Sequence, residues 1–372
     1  MPSQKMLPGA YGMDVAASQH RFTEREILTM RLLGRLEFML TSHIKQTVYR
    51  DLSRQGMEKE LRRMIRQEMI WSVVAPASVI PHTPGKTRGG RELPMRPPNV
   101  YGLTNLGKLQ LEALSAEPHG RSFESLKSRD PKGRPPSRLS LPHDIQVAWY
   151  CANILESARR SRYIRSVYIQ TEYVIHERQR IDALIVLRVG RTLSPERNVN
   201  QFPLYAGSPR ATDEYDIVLA LEVDRNTEQL KTLVEKGETY RDLTVNGTYH
   251  TALGAPVLPV FVVPTGRRAA QIARGWRKIW PNGWGIISTP YKADDPEYGV
   301  LWGAYLDMIT SKPMSPLTSI TYTQHSVQFG QMLTREQWIA DQVETGVIPP
   351  PQMLLQDELA ESEAKEPEST ST

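Results

Sequence analysis

One cysteine, Cys151, occurs in the 372 residues. That excludes an intramolecular disulfide framework and any zinc site built on several thiolates. Its setting, AWYCANIL, is apolar and marks it as a core residue. No apolar run approaches the roughly 20 residues that cross a bilayer. The first residues, MPSQKMLPGAYGMDVAASQH, hold no apolar stretch long enough for a secretory leader. The expectation is a soluble, cytoplasmic chain with no membrane partner. Eight histidines are scattered, none paired at a zinc-ligand spacing. The segment PGKTRGG contains Gly85-Lys86-Thr87 but lacks the upstream glycine and buried strand of a phosphate-binding loop, which excludes an ATPase. No GxSxG elbow and no internal repeat occur.

What is present is an uneven charge. The net charge is +5, yet residues 1–140 carry 23 Lys+Arg against 13 Asp+Glu, and the remainder 23 against 28. A positive end of this kind fits a polyanion, and nucleic acid is the usual one.

The placement of those charges is more informative than their number. Thr23 and Glu26 form a capping-box pair ahead of Ile27, Met30, Leu33 and Leu36, which predicts a first helix with one core face. Thr41-Ser42 opens a short second helix, Asp51-Leu52-Ser53 is a turn, and Gly56-Met57 leads into a third. In that third helix Met57, Leu61, Met64 and Ile65 share one face, while Lys59, Arg62, Arg63 and Arg66 project from the others. A helix packed on one side and cationic on the other can enter a major groove. Two β-prone runs follow, Met69–Val74 and Val100–Leu103, joined by a basic loop that carries Lys86, Arg88, Arg91 and Arg96. A closing helix runs from Thr104 to Leu114. The order predicts a winged helix-turn-helix over 21–115, after a flexible stretch over 1–20. Residues 116–141, rich in Pro, Ser and basic side chains, read as a linker, and 346–372 as a disordered acidic tail.

Residues 142–345 predict an α/β domain. An amphipathic helix after His143 precedes β-prone runs at 164–170, 181–189 and 215–223. A helix then carries Leu230, Leu233, Val234 and Tyr240, and a buried-type strand covers 257–263. A basic helix at 266–280, with Arg267, Arg268, Arg274, Arg277 and Lys278, offers a second DNA-contact side while Ile272, Trp276 and Ile279 pack. Trp276, Trp280, Trp284 and Trp302 read as core or partner surface, and His143 as a cap or core-edge donor.

The αβββαβ order resembles the restriction-endonuclease-like PD-(D/E)XK core. Asp182, Glu222 and Asp224 fall where that core uses its acids, and period two puts Glu222 and Asp224 on one face. The resemblance implies that these three carboxylates hold Mg²⁺ and that the domain is a DNA endonuclease or nickase. The family's lysine position is Asp224 here. In some members the next helix supplies the lysine, and Lys236 is then the catalytic candidate; its alternative is a stem along the sheet with the head in solvent.

The segments FTEREILTMRLLGRL, VYGLTNLGKLQLEAL, LPHDIQVAWY, RIDALIVL and LEVDRNTEQLKTLVEKGETYRDL together resemble the plasmid replication-relaxation family of mobile elements. That resemblance implies a role in replication, mobilisation or maintenance of a plasmid, phage or integrated element. Its partners would be double-stranded DNA, a second copy of the chain, and other replication, mobilisation or recombination proteins. The competing reading is a non-catalytic regulator of copy number or transcription that uses a degenerate nuclease fold to dimerise. An RNA-binding module lacks the aromatic strand motif it would need.

Overall fold

The computed structural model describes residues 22–75, 98–114, 141–160, 164–177, 179–190, 214–225, 228–281, 283–289, 300–301, 305–309 and 313–314. The expected N-terminal stretch over 1–20, the loop cations Lys86, Arg88, Arg91 and Arg96, Trp302, the tail, and the linker apart from Leu141 lie outside them. The architecture is mixed α/β, with a three-stranded and a seven-stranded sheet.

The N-terminal unit runs α1 (Glu24–Leu36), β1 (Met39–Leu40), α2 (Thr41–Thr47), α3 (Arg54–Arg66), β2 (Ile70–Val74), β3 (Asn99–Leu103) and α4 (Asn105–Leu114). Its strands are antiparallel in the order β1-β3-β2. The capping box at α1 forms as the spacing predicts: the Thr23 hydroxyl accepts from Glu26 N, and the Glu26 carboxylate accepts from Thr23 N. α3 begins earlier than Gly56, because Ser53 caps it by accepting from Gly56 N at 3.1 Å. Gly107 lets α4 approach the sheet, since a Cβ there would lie 2.1 Å from the Met69 carbonyl oxygen.

The second unit runs α5 (Leu141–Arg160), β4 (Ile164–His176), β5 (Gln179–Gly190), β6 (Glu214–Val223), α6 (Leu230–Val245), α7 (Thr248–Leu253), β7 (Val257–Val262), α8 (Gly266–Ile279), β8 (Ile286–Ser288), β9 (Tyr305–Asp307) and β10 (Pro313–Met314). Strands β4, β5 and β6 form an antiparallel meander, and β7 joins β6 in parallel after the α6–α7 crossover. Helix α5 packs on one face of the sheet. Helices α6 and α8 cover the other around Trp276, whose ring lies 5.7 Å from Tyr240 and 5.4 Å from Phe261. Trp276 and Trp280 are buried, and Cys151 lies fully buried in α5.

The two units are not separate beads on a linker. One hydrophobic cluster runs from Met30, Leu33 and Ile44 through Cys151 and Ile154 into Ile185 and Leu219. Buried polar side chains on α5 find partners across the junction. Arg159 donates to the carbonyls of Thr47 and Gln46, Glu156 takes Arg50, and Asn153 accepts from Gln46. Arg35 reaches β4, donating to Gln170 and lying 4.7 Å above the Tyr168 ring. Apolar continuity holds the units together, and these polar pairs fix their register because each partner would be costly to bury alone.

Candidate active site and nucleic-acid interface

The register that pairs Ala183 with Leu221, and Thr171 with Ala183, continues by one position to place Glu172, Asp182 and Glu222 in a row across β4, β5 and β6. Like charges side by side on a sheet repel. Each acid in this row is handled differently. Glu172 adopts a left-handed backbone (φ 48°), costly without a glycine, and pairs with Arg180 at 2.7 Å. Asp182 accepts the Val223 N–H at 2.7 Å with Oδ2 and faces His143 Nε2 at 3.2 Å with Oδ1. Glu222, almost fully buried, accepts from Lys236 Nζ at 2.7 Å and from the Tyr240 hydroxyl at 3.0 Å.

Lys236 therefore meets Glu222 from α6, while Asp182, whose side-chain partner His143 lies on α5, acts on both as a nearby charge. Helical spacing explains this: Leu233, Gly237, Tyr240 and Leu243 are the buried positions, and Lys236 lies beside Gly237 at the rim, partly exposed. Glu228 approaches the same ammonium at 3.4 Å. Burial pushes the Glu222 carboxyl up from its ordinary range; Asp182 adds to the rise, while Lys236 and Tyr240 oppose it. Burial alone would lower the Lys236 ammonium, but Glu222, Glu228 and Asp182 hold it above the usual lysine range. The hydrogen bond to Asp182 raises the His143 imidazole against the opposing effect of burial.

Asp224 does not join this group. Period two does turn it toward the α6–α8 face, but its Oδ2 is taken by Arg268 Nε at 2.7 Å, with both side chains buried. Arg268 also donates to the Glu228 carbonyl. Asp224, expected as a third metal ligand and catalytic carboxylate, thus lies with Arg268, and Arg268 lies inward, not on the outer side of α8 where the pattern put it. A buried carboxylate neutralised by a guanidinium is a structural pair.

Among the described residues no group of three His, Cys, Asp or Glu side chains could hold a metal ion. The donor set of Asp182 and Glu222 nevertheless fits Mg²⁺, which takes one or two carboxylates and keeps several waters. The negative charge of Asp182 raises Glu222, and a divalent cation beside both would relieve that repulsion. A small, partly open pocket lies beside Asp182, lined also by His143, Val147, Thr171 and, from the N-terminal unit, Leu36 and Glu37. The N-terminal unit thus forms one wall of the pocket beside Asp182, which Glu222 and Lys236 do not line.

On α3, Met57, Leu61 and Met64 are buried, and Lys59, Arg62 and Arg66 are exposed as the pattern predicts. Arg54 adds a cation that the later helix start concealed. Arg54 and Arg62 both reach Glu58, in exposed pairs that hold them weakly. Arg63 differs from the expectation: its guanidinium lies 2.8 Å from Glu26, a carboxylate with no exposure, so it binds α3 to α1.

Sequence reasoning passed over His143 as a partner of Asp182 and Tyr240 as a donor to Glu222. Helical spacing placed Tyr240 on the inward face, which was the available signal; no local pattern pointed His143 at a strand so distant in sequence. Comparison with protein-family models, with curated proteins and with solved structures gives no match for this chain.

Proposed function

We propose that the chain is a DNA-binding protein of a mobile element, akin to the replication-relaxation family, acting in the cytoplasm on double-stranded DNA. In this reading the N-terminal unit is a winged helix that holds duplex DNA through Lys59, Arg62 and Arg66 of α3. The second unit is a PD-(D/E)XK-like domain that nicks or cuts it. The observation that carries the reading is the contact of Lys236, from the helix after β6, with Glu222, beside Asp182 on the neighbouring strand of an antiparallel meander. Mg²⁺, held by Asp182 and Glu222, would supply charge stabilisation at the scissile phosphate and an acidified water. Lys236 supplies a fixed positive charge beside Glu222, and Tyr240 and the Val223 N–H orient the two carboxylates.

A second reading, a non-catalytic regulator that dimerises, draws on the same geometry: both Glu222 oxygens are engaged by side chains of α6, and Asp224 is neutralised by Arg268. Incubating the full chain with supercoiled DNA and Mg²⁺ or Mn²⁺ separates the two. Metal-dependent nicking that Asp182→Asn abolishes while DNA binding persists supports the nuclease. Salt-sensitive binding without cleavage by either protein supports the regulator.

A further inference from the structure

Helix α8 is strongly cationic on one side and devoid of acids throughout. Ile272, Ala273 and Trp276 are buried against α6 and the sheet, and Arg268 turns inward to Asp224. The residues left exposed include Arg267, Gln271, Arg274 and Lys278, at a spacing of four, three and four that draws a single line along the helix. Among the described residues no carboxylate pairs with Arg267, Arg274 or Lys278, in contrast to Arg54 and Arg62 of α3. From Arg267 to Lys278 the line extends roughly 16 Å at about 1.5 Å per residue, the axial span of about five phosphates of one DNA strand. One end of the line is anchored next to the reacting groups. Arg267 adjoins Arg268, which holds both Asp224 and the carbonyl of Glu228, and Glu228 contacts Lys236.

We infer that the outer face of α8 is a second DNA-contact surface, a track for the sugar–phosphate backbone that runs up to the Asp182–Glu222–Lys236 site. The inference rests on the reading of the chain as a DNA-binding protein and gives it a second point of hold besides α3. The contacts are to phosphates, since arginine and lysine on a line with no acceptor side chain other than Gln271 read charge and spacing rather than base edges. An anionic membrane fits less well, because the apolar face of α8 is already buried in the protein and cannot enter a bilayer.

The test uses the full chain and a fluorescent linear duplex, titrated over a salt series. Arg267→Ala/Arg274→Ala/Lys278→Ala is expected to lower the slope of log affinity against log salt by about 2.7, and to weaken binding roughly tenfold or more at low salt. The Arg267→Lys/Arg274→Lys variant is expected to keep the wild-type slope, which separates lost charge from a damaged fold. Lys59→Ala/Arg62→Ala/Arg66→Ala, on α3, is the reference. If the wild type binds duplex and the α3 variant is weakened while the α8 variant is not, the inference is overturned and the function proposed above stands. If the wild type does not bind duplex, both fall. Loss of binding to phosphatidylserine vesicles in the α8 variant, with duplex binding intact, overturns the DNA track in favour of a membrane surface.

Discussion

The Lys236 ammonium lies 2.7 Å from a Glu222 carboxylate oxygen although the two residues are 14 positions apart. Glu222 is nearly inaccessible, while about a quarter of the Lys236 side chain remains exposed. The pair therefore works asymmetrically: the carboxylate depends on the ammonium, and the ammonium can be reached from solvent. Lys236→Met is expected to destabilise the protein by about 2–4 kcal/mol, because it leaves a buried carboxylate without its cation. Adding Glu222→Gln to that variant should recover part of the loss, and a double-mutant cycle measured by denaturant unfolding should return a coupling of about 1–3 kcal/mol. If the domain is a nuclease, cleavage falls by at least about a hundredfold in Lys236→Met and is not recovered in the double variant.

Arg63 provides the contrast on α3. Its neighbours Arg62 and Arg66 are exposed, but Arg63 is held by the Glu26 carboxylate, which also closes the capping box of α1. Arg63→Ala is expected to cost about 2 kcal/mol of stability, since Glu26 is fully buried and loses its only cationic partner among the described residues. The salt dependence of DNA binding should be unchanged in that variant, measured at a temperature where it is folded. Arg66→Ala should do the reverse, leaving stability within about 0.5 kcal/mol and lowering the salt slope by about 0.9.

These two cases show where sequence reading succeeds. Period and caps are local, so the helices containing Met57, Leu61, Leu233 and Tyr240 were legible with their buried faces, as was the cap of α1 by Thr23 and Glu26. Lys236 followed from the same periodicity. The choice of one basic residue among several did not. Arg62, Arg63 and Arg66 look alike in the chain, as do Arg267, Arg268 and Arg274. Only the tertiary positions of Glu26 and Asp224 decide which of each set turns inward. His143 was missed for the same reason, and β1, at two residues, was too short to show a period.

Where α6 crosses α8, the structure depends on two glycines. A Cβ on Gly275 would lie 2.4 Å from Val234, and one on Gly237 would lie 3.1 Å from Trp276. A side chain at Gly275 meets the Val234 side chain, so Val234 must shift or the helices must separate, and Lys236 rides on the same helix as Val234. Gly275→Val is expected to destabilise by about 1–3 kcal/mol, read by thermal unfolding. Val234→Ala combined with Gly275→Ala should be milder than Gly275→Ala alone, because it removes the methyl groups in the way.

His43 makes the fold sensitive to acid. It is buried in α2, and its Nδ1 accepts from Leu40 N at 3.4 Å, which requires a neutral imidazole. Burial lowers its pKa from 6.5 to about 4. A depressed pKa means that the unfolded chain binds the proton more readily than the folded one. The stabilising contribution is therefore complete above about pH 6.5 and is lost progressively as the pH falls toward 4, amounting to on the order of 3 kcal/mol. Denaturant midpoints for the wild type should decline over this window, with His43→Gln declining less steeply because it has no imidazole to protonate. Equal slopes for the two proteins between pH 6.5 and 4 would show that His43 titrates freely in the folded state and that acid acts on other groups.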